Sequence, residues 1–343
     1  YLHGFVQMQA FMMAFAIGFL LTALPRRTRS EPPTGVELGA LATAIVVVTL
    51  GGIWEQWSLA ETAYGAMIVI LLRFALSRLR GGRAQRRPPA AFVLIPIAVL
   101  HGLGGAALIA ASTLDAAPAW AMGMGRLLVE QGVFLCLVVG VGNLVLPLIA
   151  GSTPPADFDA APRERLRAIA YAVAGLAICA SLVFERLGWV RAAPLVRALV
   201  VTIGLLSGGA WHTLQKPGLH RRLVRASVWL IPIGLLASGV FPDYRVPALH
   251  IVFIGGFSAL AFGVATHVAI GHLGLDHLTS GRPPVVIVLA VTSLLALGAR
   301  VAADASHTYF AHLGWAAGSW LIGSSVWLAY FGPKFLRWRA TGS

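Results

Sequence analysis

The ten histidines are the residues of this chain best suited to chemistry. Imidazole is neutral over much of the physiological range and ligates metals through its unprotonated nitrogen. The segment ALHIVFIGGFSALAFGVATHVAIGH, Ala248 to His272, carries His250 at its start and His267 and His272 towards its end. His3 opens another apolar run, His307 and His312 flank the start of the last one, and His101 lies about halfway through a fourth. His212, His220 and His277 sit at run ends or in connections. At 1.5 Å of helical rise per residue, His250 and His267 are roughly 25 Å apart on one helix, too far to share a metal. A common site must therefore draw on different helices.

Composition says what those helices are. Of 343 residues, 58% are hydrophobic and 11% charged, where a soluble domain carries about 25% charged residues. Apolar runs of about 20 residues, each enough to cross a bilayer, recur at about 3–24, 36–54, 58–78, 90–113, 120–149, 166–184, 194–214, 223–241, 248–270, 284–303 and 309–331. Pro25, Pro32-Pro33, Pro88-Pro89, Pro154-Pro155, Pro217-Gly218 and Pro283-Pro284 punctuate the connections. The expected fold is all-α, a polytopic bundle forming one integral membrane domain over residues 1–343.

The net charge of +13 reads as a positive-inside bias rather than a nucleic-acid surface. Every second loop is basic: Arg26 to Arg29, Arg78 to Arg87, Arg163 to Arg167, Lys216 to Arg225, Arg282, and the tail with Lys334, Arg337 and Arg339. That side is expected to be cytoplasmic, together with the C-terminus. Tyr1 then falls outside, and one further span is expected before it. Arg78 to Arg87 lacks interleaved aromatics and reads as a topology determinant or an anionic-lipid contact. Cys136 and Cys179 read as small buried hydrophobes. No cleavable signal, phosphate-cradling loop, Cys-x-x-Cys or nucleophile elbow is present.

A repeat is also visible. Gly18 to Pro25 (GFLLTALP) resembles Gly140 to Pro147 (GVGNLVLP), and Gly263 to Gly271 is a looser third copy. The leading glycines are 122 and 123 residues apart, which suggests four-helix units at about 1–113, 114–241 and 242–343.

On this topology His3, His250, His307 and His312 share the outer side. His3 and His250 open spans one and nine at comparable depth. Two imidazoles from different helices are what a bis-His heme needs, and imidazole also suits copper. Arg300, near the outer end of span ten, has two candidate partners: a heme propionate, or Asp304 one turn on. His101 reads as a ligand or an interhelical hydrogen bond, since a mid-bilayer imidazole is costly. Each outer histidine also has a plain reading as a headgroup-level side chain, and the cytoplasmic histidines read as solvated. Glu130 is expected to pair with Arg126, with a proton-relay role as the alternative. Gly102 to Gly105 and Gly208-Gly209 mark close helix packing or close cofactor approach. No proton pathway is legible.

These residues resemble the NnrS family. The first span, HGFVQMQAFMMAFAIGFLLTALPRR, is similar to that family's opening histidine-bearing helix. ALHIVFIGGFSALAFGVATHVAIGHLG, LALGARVAAD and WLAYFGPKFLRW are similar to its late helices and C-terminal end. The resemblance implies a twelve-helix bacterial inner-membrane protein holding heme and copper and linked to nitric oxide and nitrosative stress. Its three-times-four arrangement is similar to the catalytic subunit of heme-copper oxidases. The chain departs from the pattern where Phe5 and Val6 stand in place of a second histidine and a glutamate, and where span eight, taken as Arg225 to Phe241, has no histidine. Copper is the cofactor those departures put in doubt. The expected heme site is His3, His250 and Arg300, with His101, His307 and His312 as further metal-ligand candidates. Nitric oxide and the lipid bilayer are the expected partners, and a larger membrane complex is possible. The competing expectations are a transporter, a metal- or heme-handling protein, or a non-catalytic subunit.

Overall fold

The computed structural model describes residues 2–79, 87–153, 155, 157–158, 161–209 and 216–341, with side chains to residue 337. Tyr1, Arg80, Arg83, Arg86, Pro154 and His212, all used in the topology reading, lie outside the described residues, as does the side chain of Arg339.

The described residues form helices joined by short connections, with no strand among them. The chain is an all-α polytopic membrane bundle. Its helices are α1 (Leu2–Thr28), α2 (Gly35–Ile53), α3 (Trp57–Leu79), α4 (Ala90–Thr113), α5 (Trp120–Ala150), α6 (Pro162–Arg186), α7 (Ala192–Ser207), α8 (Leu219–Val240), α9 (Pro242–His272), α10 (Pro284–Ala303) and α11 (Tyr309–Thr341). Among the described residues nine are long and apolar enough to cross a membrane. α7 has 16 residues, shorter than the expected 194–214, because Gly208 caps it and Gly209 turns into the left-handed region at φ 78°. Gly208-Gly209 thus ends a helix. α11 runs on to 33 residues, through Pro333.

Local chemistry sets the helix starts. Thr34 caps α2 with a reciprocal box: its Oγ1 accepts from Glu37 N, and its own N–H donates to Glu37 Oε2 at 2.8 Å. Pro162 and Pro284 open α6 and α10, where a missing N–H costs nothing.

By internal contacts the chain divides into two compact units, Tyr1–Leu144 with Pro155–Trp189, and Val145–Pro154 with Val190–Ser343. In the first, α3 packs between α2 and α4, and α4 against α5. Its core holds Phe5, Ile17, Leu41, Val48, Tyr64, Met67, Phe74 and Ile109. Glycines bring the helices together: a Cβ on Gly102 would meet Ile68 Cδ1 at 2.4 Å, and one on Gly105 would meet Gly125 O at 2.9 Å. These two glycines serve helix packing.

In the second unit α9 packs against α8 and α10, and α10 against α11. Two tryptophans tie α11 to α9: Trp320 Nε1 donates to Ser258 Oγ and Trp327 Nε1 to Thr266 Oγ1, each at 2.9 Å. Trp327→Phe keeps a ring beside Phe262 and Phe331 but deletes the N–H. It is expected to lower stability by about 1 kcal/mol, read as a lower thermal midpoint of the purified protein. Thr266→Val added to it should cost little more if this bond is the cause.

Three helices depart from α geometry. α1, α5 and α9 contain π-helical segments at Val6–Met12, Leu128–Gly132 and Ile251–Ser258. The segments begin 122 and then 123 residues apart, the same offsets as the glycines of the sequence repeat. Such segments interrupt the normal hydrogen-bond ladder and concentrate at functional sites.

Candidate functional site

His250 is the last residue before the π segment of α9 and is half-buried. Its Nδ1 lies 2.8 Å from Val246 O, one turn back. A carbonyl oxygen only accepts, so Nδ1 carries the hydrogen, and Nε2 is the nitrogen through which the neutral ring would ligate a metal. This is how a second contact fixes the tautomer of a ligating histidine. Phe253 meets the ring edge-on, with centroids 6.1 Å apart.

His3 lies in the first turn of α1, three residues before that helix's π segment, and is exposed. Next to it, Gly4 closes on α5: a Cβ there would stand 3.3 Å from Glu130 Oε1. Glu130 pairs with Arg126 Nε at 3.2 Å, as the spacing predicted.

Arg300 is buried, and its Nη1 donates to Asp304 Oδ2 at 2.6 Å. Of the two partners anticipated for it, Asp304 is the observed one. His307 lies exposed in the turn before α11. His312 Nδ1 sits 3.2 Å from both Oγ1 and O of Thr308. His101 is 4% exposed on α4. Its Nδ1 lies 3.9 Å from Cys136 Sγ, its ring fills the space a Gly132 Cβ would take, and its Nε2 is buried without a hydrogen-bond partner. Cys136 and Cys179 are free thiols. His3 and His101 belong to the first unit; His250, Arg300, His307 and His312 belong to the second. Among the described residues, no three His, Cys, Asp or Glu side chains gather as a metal-binding group.

Two arrangements escape a reading of spacing. The first corrects the account of span eight: α8 begins at Leu219, so it does carry a histidine, His220. That residue is 0% exposed. Its Nε2 lies 3.2 Å from His267 Nδ1, with the rings stacked at 5.3 Å. The run of Arg221, Arg222 and Arg225 disguises this turn as a solvated loop. The signal that finds it is the antiparallel pairing of α8 and α9, which brings the start of one to the end of the other. His220 and His267 are therefore partners in a pair, with His220 buried and His267 half-buried, and are not solvated side chains. The second arrangement is Glu61, buried on α3 and accepting from Gln9 Nε2 at 3.0 Å. It lies four residues inside the helix, a depth from which a carboxylate ordinarily reaches the headgroups.

A model of the NnrS protein family matches residues 1–339. The chain belongs to the NnrS family. Neither the curated proteins nor the solved structures include a match to it. Membership links the chain to a family associated with nitric oxide. Within that frame, the replacement at position 5 has a structural explanation. Phe5 is buried, packs edge-on against Trp57 with centroids 5.4 Å apart, and lies 2.9 Å from where a Gly52 Cβ would stand. This NnrS-family chain uses that position to build its core.

Proposed function

We propose that this NnrS-family chain is a heme-binding protein of a bacterial inner membrane, acting in nitric oxide metabolism or in resistance to nitrosative stress, with its C-terminus in the cytoplasm. One observation carries the reading: the His250 Nδ1 lies 2.8 Å from Val246 O, a contact that orients the ring and makes Nε2 the nitrogen suited to iron. Heme iron takes a neutral imidazole nitrogen of this kind. His250 would hold the iron, and Arg300, in the same unit, would offset propionate charge with nitrogens not used on Asp304. Bound heme would supply an iron centre that takes up a small diatomic gas such as nitric oxide.

The chain's own contributions follow from its residues. Val246 O orients the ring through Nδ1. Phe253, within the π segment, presents an apolar ring edge-on to the imidazole. A small apolar gas dissolves in the bilayer and needs no polar channel to arrive. Copper receives no residues in this reading, because no group of three suitable donors is found among the described residues. The second reading, a transporter, a metal- or heme-handling protein or a non-catalytic subunit, is favoured by the core role of Phe5.

The optical spectrum of the full-length protein, purified from heme-replete cells, separates the two. A Soret band is expected. His250→Ala should remove most of it, while His307→Ala leaves it in place. A colourless wild-type protein overturns the heme reading.

A further inference from the structure

We infer that the interior of the first unit is a proton-exchange site, in which Glu61 takes up and releases the proton and ordered water carries it. Gln9 on α1, Glu61 and Tyr64 on α3, His101 on α4 and Gln131 on α5 are all buried, and all belong to that unit. Glu61, at 1% exposure, accepts from Gln9 Nε2 at 3.0 Å, and Tyr64 follows it one turn on. Gln9 and Gln131 stand on the π segments of α1 and α5, which touch one another. Tyr64 Oη lies 3.6 Å from where a Cβ of Gly102 would be, and Gly102 adjoins His101 in the chain.

Packing alone does not account for these side chains. A polar group is tolerated inside a membrane bundle when its hydrogen bonds are made internally. Here Gln9 Oε1, Tyr64 Oη, Gln131 Oε1 and His101 Nε2 are buried with no protein partner. Buried polar atoms of this kind are normally satisfied by ordered water. An ionisable side chain inside a membrane span marks an ion or proton path by default. An amide, a phenol and an imidazole are all groups that water can link into such a path.

The cluster also has an approach. Glu130 precedes Gln131 in the chain and pairs with Arg126, and their side chains are 19% and 43% exposed. Polarity thus runs from that accessible pair through the two glutamines to Glu61 and Tyr64. The other charged groups on α3 and its neighbours are already accounted for. Arg27 is bound by Asp157, Arg78 by Glu37 and Arg126 by Glu130; Arg26, Glu55, Arg73 and His3 are exposed. The proposal stands independently of the heme reading.

Infrared spectroscopy of the full-length protein in lipid nanodiscs at neutral pH tests it. A protonated-carboxyl carbonyl band is expected that is absent in Glu61→Gln and shifts down in D2O. Tyr64→Phe should keep the band and slow the shift several-fold. An apolar carbodiimide, which adds the O–H of a protonated carboxyl across a C=N bond, should label Glu61 of the wild-type protein, mapped by peptide mass spectrometry; this readout holds even if Glu61→Gln fails to fold. Three results overturn the proposal: no band and no labelling, which makes Glu61 a fixed carboxylate; a band that ignores D2O, which makes it a sealed structural acid; and labelling blocked by sodium ion, which makes the cluster a metal-cation site.

Discussion

Leucine at position 105 is expected to leave no monodisperse protein after detergent extraction. Gly105 faces α5 across a close approach in the α4–α5 contact. A Cβ there would stand 2.6 Å from Val129 Cγ2, 2.9 Å from Gly125 O and 3.2 Å from Leu128 Cβ. The valine methyl can turn away. The carbonyl cannot, because it belongs to a helix that meets Gly105 O reciprocally, 2.8 Å from where a Gly125 Cβ would be. Any side chain must push the two backbones apart. Gly105→Ala should cost about 1–3 kcal/mol, the usual range for overpacking, and a branched side chain more. Gly104, one residue away, has nothing within 4 Å of its missing Cβ, so Gly104→Ala should leave the thermal midpoint unchanged. Equal losses at 104 and 105 would mean that the close approach is not responsible, since alanine favours the helix over glycine at both positions.

The second large effect is expected at Arg78. Its guanidinium straddles Glu37, with Nη2 donating to Oε2 at 2.7 Å, and also reaches Pro32 O at 3.0 Å. The same group lies 4.3 Å from the Phe74 ring centroid. One side chain thereby joins the start of α2, the connection before it and the end of α3. Arg78→Met fills a similar volume but strands a carboxylate and a carbonyl. The expected cost is about 3 kcal/mol, the low end for a broken buried pair, because the Glu37 side chain keeps 22% exposure. The Arg78→Met, Glu37→Gln double variant should recover part of that loss in a thermal unfolding series. A double variant worse than the single one would show that the packing of the guanidinium stem, not its charge, carries the contribution.

Most of the helix frame was legible from the sequence, since a span must be about 20 apolar residues whatever surrounds it. The helix boundaries that went astray were decided by other forces. α7 stops early because a glycine at positive φ ends it, and α8 starts early because Arg221 turns inward, with Nη1 donating to Ile149 O. A count of charges reads that arginine as loop. The local ion pairs Arg126–Glu130 and Arg300–Asp304 were legible because i,i+4 spacing fixes them. The His220–His267 pair and the Gln9–Glu61 bond were not, since their partners are 47 and 52 residues apart and spacing along one chain does not say which helices adjoin. Gly102 and Gly105 carried an ambiguity, packing or cofactor, that only their neighbours' identity could resolve.

An α-helix advances about 100° per residue, so in a rod of some 30 residues the azimuth of one tip is locked to that of the other. The wider turns within α1, α5 and α9 release that lock. In α9 the His250 imidazole can be aimed by one constraint while the turns around Gly263 keep the phase their own neighbours demand. Losing a single residue from such a turn would swing everything on its far side by about a quarter of a revolution, redirecting an imidazole without changing its chemistry or its distance from the membrane midplane by more than about one residue's rise.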